Sequence, residues 1–300
     1  MAKILICDPI ADTAISAIRE KGHQVDVKTG MSVEELNMLV SEYDGMVVRS
    51  ATKVRVPTID LAKNMKIIVR GGVGLDNIDC EYARSKGITV SNTPTASSIS
   101  VAELALAHML ALYRFIPNSN ITMRKAEWNK KKYKGRELTG KTLGIIGFGN
   151  IGKALARKSS GFEMKIIAYD PYVKETDLDV EFVDLKTLIS TADIISLHIP
   201  HTKDTHYIID KHAISKMKAG VMIINCARGG VVDEKALLDG LNSGKVAYAG
   251  IDSYEDEPTK NIELINHPNV SCTPHIGAST VEAQGRVGNE VAKILIDFFK

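Results

Sequence analysis

Short apolar runs alternate with stretches of helical periodicity from the first residues onward. KILICDP is followed by IADTAISAIREKG, then QVDVKTG, SVEELNMLVSEY and GMVVRS. The short continuous apolar runs read as strands covered on both faces, and the segments with apolar positions three and four apart read as amphipathic helices. Their alternation predicts a parallel sheet with helices on both sides. It continues through MKIIVRGG and the segment ending GITVSN, then starts afresh at KTLGIIGFGNIGKALARKSSG after the polar, basic stretch RKAEWNKKKYKGRELTG. From there it runs through MKIIAYDPY, VEFVDLKTLI, DIISLHIP, HAISKMKAGVMIINCA, VDEKALLDGLNSG, VAYAGIDSY and NVSCTPH. The expected fold is α/β, with two doubly wound parallel-sheet units of Rossmann-like or flavodoxin-like type.

One helical segment departs from this pattern. VAELALAHMLALYRF, behind Ser97 and Ser100, is apolar on more than one face and is expected to be buried between domains or between subunits. No run approaches the roughly 18 to 20 apolar residues that cross a bilayer, and the N-terminus lacks the pattern of a secretory leader, so a cytoplasmic protein is expected. No short repeat and no low-complexity segment is present.

Composition narrows the partners. The 38 basic and 36 acidic side chains nearly cancel, so no global field favours nucleic acid or an anionic membrane, and an anionic partner must be bound locally. Cys7, Cys80, Cys226 and Cys272 are far apart and form no CxxC pair, which argues against a zinc site and a disulfide framework. His108 reads as a core residue; His201, His206 and His212 fall in polar loops, and His198 ends a strand.

Candidate chemistry sits at strand ends. GIIGFGNIG places Gly147, Gly149 and Gly152 in GxGxxG spacing between a strand and a helix, where a dinucleotide pyrophosphate is cradled. Asp170 ends the next strand, 18 residues beyond Gly152, near the place where an acid accepts from ribose hydroxyls. Its charge would repel a 2′-phosphate, which favours NAD over NADP; the alternative is an aspartate that caps a turn. VMIINCARGG presents Arg228 at the same sheet edge, where its guanidinium fork suits a substrate carboxylate. Asp252 and Glu257 follow one later strand and His275 another. A histidine can exchange the proton of a 2-hydroxy group, and a nearby carboxylate would favour its protonated form and fix its direction. Taken singly, these residues also read as a loop histidine and solvated acids.

Together, VVRSATKV, RGGVGLDNID, SVAEL, GIIGFGNIG, NCARGGVVDE, GIDSYEDEP and TPHIGASTVEAQ resemble the D-isomer-specific 2-hydroxyacid dehydrogenase family over nearly the whole chain. The resemblance implies Arg228 as carboxylate clamp, Glu257 as the partner of the histidine and His275 as acid/base. It implies cofactor contacts at Val73, Asn150, Ile151, Ile199, Cys226, Ala227, Asp252 and the turn His275, Ile276, Gly277, Ala278, beside the three glycines and Asp170. It also implies a substrate-binding domain of residues 1–97 with 277–300, an inserted NAD-binding domain of residues 98–276, an active site in the cleft between them, and a homodimer held through the NAD-binding domain.

For the substrate, the residues are most similar to the branch acting on phosphorylated acids. Arg49, Ser50 and Lys53, with the backbone at Gly72, Val73 and Gly74, are expected to take the phosphate of 3-phospho-D-glycerate. Lys130, Lys131, Lys132, Lys134 and Arg136 match a basic stretch that can reach a neighbouring subunit, or simply form a solvated loop. Two rivals remain open: a glyoxylate, hydroxypyruvate or D-lactate-type reductase, and an NAD(H)-sensing corepressor-like binding protein. Many members carry a C-terminal serine-sensing domain, and this sequence stops after the closing helix. No serine feedback is expected, and inhibition by millimolar serine would overturn that.

Overall fold

A computed structural model describes residues 1–300, which divide into two compact units, Met1–Ser97 with Ala278–Lys300, and Ser98–Gly277. The first holds strands β1 (Lys3–Ile6), β2 (Gln24–Val27), β3 (Gly45–Val48), β4 (Ile67–Arg70) and β5 (Thr89–Asn92), all parallel, in the order β2-β1-β3-β4-β5. Central β3, GMVV, is buried at all four positions, as a parallel strand covered on both faces must be. Helix Val281–Phe298 returns to this unit and packs Val287, Val291, Ala292 and Leu295 into the cluster of Ile4, Ile6, Val47, Ile67 and Val69.

The second unit holds β6 (Thr142–Ile146), β7 (Lys165–Tyr169), β8 (Glu181–Phe182), β9 (Ile194–Leu197), β10 (Val221–Asn225), β11 (Val246–Ile251) and β12 (Val270–Cys272). They are parallel throughout, in the order β12-β11-β10-β9-β6-β7-β8. Both units are doubly wound, as the alternation predicts. Asp184, Asp210 and Asp233 start three of the helices by accepting the N–H of Thr187, Ala213 and Ala236, so these three turns carry their own helix signal.

The apolar helix is observed over Ser98–Tyr113, and its burial has a different origin from the one expected. Val101, Ala105, Leu106, Met109 and Leu112 share one core cluster with Leu143, Ile145, Met222 and Ile224 of the second unit's own sheet. His108 is in that core, its ring nitrogens 2.9 and 3.2 Å from the hydroxyls of Ser271 and Thr273, and burial lowers its pKa against the pull of Asp252. Ile99 in this helix is exposed, and further exposed apolar side chains come next in sequence, at Ile116, Ile121, Met123 and Trp128. No single helix is long and apolar enough to cross a membrane.

Candidate active site

The glycine-rich turn lies between β6 and the helix Asn150–Ser159. Gly147 has φ 93°, a left-handed value that a side chain rarely adopts, and a Cβ there would lie 2.5 Å from the His198 carbonyl oxygen. At Gly152 a Cβ would lie 2.2 Å from the Gly147 carbonyl oxygen, so helix and strand can close only on glycine. Gly149, the helix N-cap, meets the opposite situation: nothing lies within 4 Å of its missing Cβ. The turn thus combines two positions closed to side chains with one open face, at a helix N-terminus whose N–H groups suit a pyrophosphate.

Asp170 follows β7 and is 9% exposed. One oxygen accepts the Phe148 N–H at 2.8 Å, the other those of Tyr172 and Val173 at 2.8 and 3.0 Å. Burial alone would raise its pKa, but these three donors and Lys174 outweigh it and hold the carboxyl below the ordinary carboxylate range. Asp170 therefore ties the glycine turn to the next strand as well as ending it. His198, after β9, is kept neutral by burial, its pKa pushed down to about 4, with Nε2 2.9 Å from Ser196 Oγ. Ile199 beside it is half-buried, while Cys226 and Ala227 are buried after β10.

The turn after β10 is braced by Asn225, whose amide donates to the Arg228 carbonyl at 2.9 Å and whose oxygen accepts the Ala227 N–H at 3.1 Å. Arg228 is half-buried and donates from Nη1 to the Ala227 carbonyl at 2.7 Å. The glycine after it is compulsory: a Cβ on Gly229 would lie 1.7 Å from the Tyr254 carbonyl oxygen, where the loop after β11 crosses.

That loop brings Glu257 to His275. His275 Nδ1 lies 2.8 Å from both Glu257 oxygens, and Glu257 also accepts the Tyr254 N–H at 3.2 Å. Partial burial works against the Glu257 charge, yet the His275 hydrogen bond and charge, the Tyr254 N–H and Arg228 together hold its pKa below the ordinary value. His275 itself stands at φ 51°, and the turn that sets this conformation hangs on buried Asp252. One Asp252 oxygen accepts the Thr273 hydroxyl at 2.6 Å and the Ile276 N–H at 2.8 Å; the other accepts the Gly277 N–H at 2.8 Å. Ala278 follows directly.

In the first unit, Arg49 and Ser50 follow β3, and Gly72, Val73 and Gly74 follow β4. Arg49 is part-buried and Ser50 exposed. Sequence reading passed over three residues here. Arg70 ends β4 in register with Val48 and lays its guanidinium against Gly72; the strand-end pattern VRGG was its one visible signal. Asp8, 3% exposed after β1, accepts the N–H groups of Arg49 and Thr52 and the Thr52 hydroxyl. Gln284 accepts from Arg49 Nη1 across 235 residues of sequence. Of the basic stretch, Lys130–Lys132 form an exposed 3-10 turn, while the Arg136 N–H is tied to the Tyr113 carbonyl at 2.9 Å.

A glycine cradle at the reversal of a parallel sheet, with an acid at the end of the neighbouring strand, defines a dinucleotide-binding α/β protein. The sequence pattern described as "D-isomer specific 2-hydroxyacid dehydrogenase, NAD binding domain" matches residues 106–277. A hydroxypyruvate reductase of Thermotoga maritima is 50% identical over 97% of this chain and 96% of that protein. A D-3-phosphoglycerate dehydrogenase of Archaeoglobus fulgidus is 46% identical over 99% of this chain, which spans 57% of that protein's length. Among solved structures, a D-lactate dehydrogenase from Aquifex aeolicus complexed with NAD and lactic acid superposes with a TM-score of 0.89 at 31% identity, covering 99% of this chain and 95% of that one. The chain belongs to the D-isomer specific 2-hydroxyacid dehydrogenase family. It is an NAD-dependent oxidoreductase of this class.

Proposed function

We propose that this cytoplasmic enzyme oxidises 3-phospho-D-glycerate to 3-phosphohydroxypyruvate. The observation that supports the substrate choice is Arg49, a part-buried guanidinium after β3 that donates to two backbone carbonyls and an amide oxygen, with no carboxylate in ion-pair distance. A guanidinium with no direct ion pair, sensing only the nearby Asp8 carboxylate that is itself bonded to backbone N–H groups, suits a substrate with a second anionic group.

In this reading Gly147, Gly149, Asn150, Ile151 and Gly152 hold the pyrophosphate, Asp170 the adenosine ribose, and Ile199, Cys226, Ala227, Asp252, Ile276, Gly277, Ala278 and Val73 the remaining cofactor wall. NAD, when bound, supplies the acceptor for the C2 hydride. Arg228 grips the substrate carboxylate and the developing carbonyl. Glu257 occupies His275 Nδ1, so Nε2 is the nitrogen that takes the hydroxyl proton, and the carboxylate stabilises the imidazolium that forms. Arg49, Ser50 and the Gly72–Gly74 backbone take the phosphate. The exposed apolar group Ile116, Ile121, Met123 and Trp128 supports a homodimer through the nucleotide-binding unit.

The test is NADH formation with NAD and 3-phospho-D-glycerate, wild type against His275→Ala. A loss of about a hundredfold or more in turnover with NAD affinity retained is expected; turnover that survives rejects His275 as the proton acceptor. A second reading, reduction of hydroxypyruvate, is favoured by the Thermotoga relative, which this chain matches over almost its full length. Turnover of hydroxypyruvate with none of the phosphorylated acid would select it.

A further inference from the structure

The way Arg49 is held points to a residue far from the strand-end loops. Nε donates to the Gly71 carbonyl at 3.3 Å; Nη1 donates to the Pro9 carbonyl at 3.4 Å and to Gln284 Oε1. These acceptors are all neutral and all engage Nε or Nη1, so Nη2 makes no hydrogen bond within the protein. The neighbouring Asp8 carboxylate is spent on backbone: it accepts the Arg49 and Thr52 N–H groups and the Thr52 hydroxyl. Gln284 is itself pinned at its other end, Nε2 donating to the Ala278 carbonyl at 3.1 Å, where the chain re-enters the first unit. It stands in the first turns of helix Val281–Phe298 and is half-buried, so its amide has a fixed direction.

We infer that Gln284 is the positioning residue of the anion subsite: its neutral amide sets the direction of Arg49 while leaving the guanidinium its full charge for a second anionic group on the substrate. This rests on the reading of Arg49 as a phosphate ligand. A glutamate at 284 would accept the same hydrogen bond and cancel the charge, since a carboxylate beside a guanidinium forms a charge-assisted pair that competes with any external anion. A leucine would leave the charge and remove the direction. The identity of residue 284 therefore sets the preference between doubly and singly anionic 2-oxo acids.

The experiment compares kcat and KM for 3-phosphohydroxypyruvate and for hydroxypyruvate in the wild type, Gln284→Glu, Gln284→Leu and Arg49→Gln, with thermal denaturation of each. For Gln284→Glu the ratio of the two kcat/KM values is expected to fall by about tenfold or more, through KM for the phosphorylated acid. Gln284→Leu should lower the ratio less, and it keeps the question answerable if the glutamate variant does not fold. A ratio left at its wild-type value in both, or equal losses on both substrates, overturns the inference. Arg49→Gln separates the two failures. If it removes the preference while the Gln284 variants do not, Gln284 has no such role and Arg49 keeps its own. If Arg49→Gln leaves the ratio intact, or the wild type has no preference, the phosphate reading falls and this inference with it.

Discussion

In the first unit the strand order reverses between β1 and β3, in the second between β6 and β9. Ligands of open parallel sheets bind beyond the strand ends at such a reversal, yet the two reversals are equipped differently. In the second unit the loops after β6 and β9 meet without a side-chain hydrogen bond, the Gly147 backbone packed against the His198 carbonyl and the Ile199 side chain. In the first unit the loops after β1 and β3 meet through a side chain, the Asp8 carboxylate holding the Arg49 backbone. A backbone cradle takes a ligand whose phosphates need N–H donors and little selectivity. A side-chain brace presents a chosen charge, and can be retuned by exchanging one residue. On the proposed assignment, one fold would separate a constant cofactor from a variable substrate.

The sharpest way to break this contrast is Gly152→Val. With a Cβ already 2.2 Å from the Gly147 carbonyl, the helix must part from the strand. A stability loss of about 3 kcal/mol or more is expected, with NADH binding weakened at least tenfold. Calorimetry and a fluorescence titration read both, and unimpaired NADH binding would remove the cradle from the account. Asp8→Ala should be milder and fall on the other ligand. It strips the acceptor from two backbone N–H groups at a cost of about 2 kcal/mol. KM for the 2-hydroxy acid should rise and NAD affinity should stay. A change in NAD affinity alone would show that the two reversals do not divide the ligands.

The smallest effect concerns pH. Asp170 is held below its unfolded value of about 3.9, so its contribution to stability is complete above that value and is lost as the pH falls through the lower, folded one. Asp170→Asn should therefore lower the urea midpoint at neutral pH and flatten its decline in acid. Parallel pH profiles for the two proteins would exclude the hydrogen bonds from Phe148, Tyr172 and Val173 as the cause.

The same contrast explains what could be read from sequence. Gly147, Gly149, Gly152 and Asp170 lie within one β-helix-β stretch, where sterics demand glycine at Gly147 and Gly152, so spacing alone exposes the motif. Gly229 after Arg228 is similar, although the Tyr254 carbonyl that compels it lies 25 residues away. Asp8 and Gln284 carry no local mark: they acquire partners only when β1 lies beside β3 and the last helix returns. Asp252 was visible as a strand-end acid, but its bonds to the Ile276 and Gly277 N–H groups depend on the turn folding back. The helix Ile116–Arg124 was missed because IPNSNITMR has no apolar periodicity; it starts after Phe115 at φ 53°, with proline in its first turn.

The return of Val281–Phe298 to the first sheet also orders events on the ribosome. Residues 98–277 are contiguous and possess all seven strands of their sheet once synthesised. The first 97 residues emerge earlier but lack Val287, Val291 and Leu295, which complete the core over β1, β3 and β4. Nascent chains are thus expected to complete the nucleotide-binding unit first, while the earlier-made sheet waits with an apolar face open to chaperones.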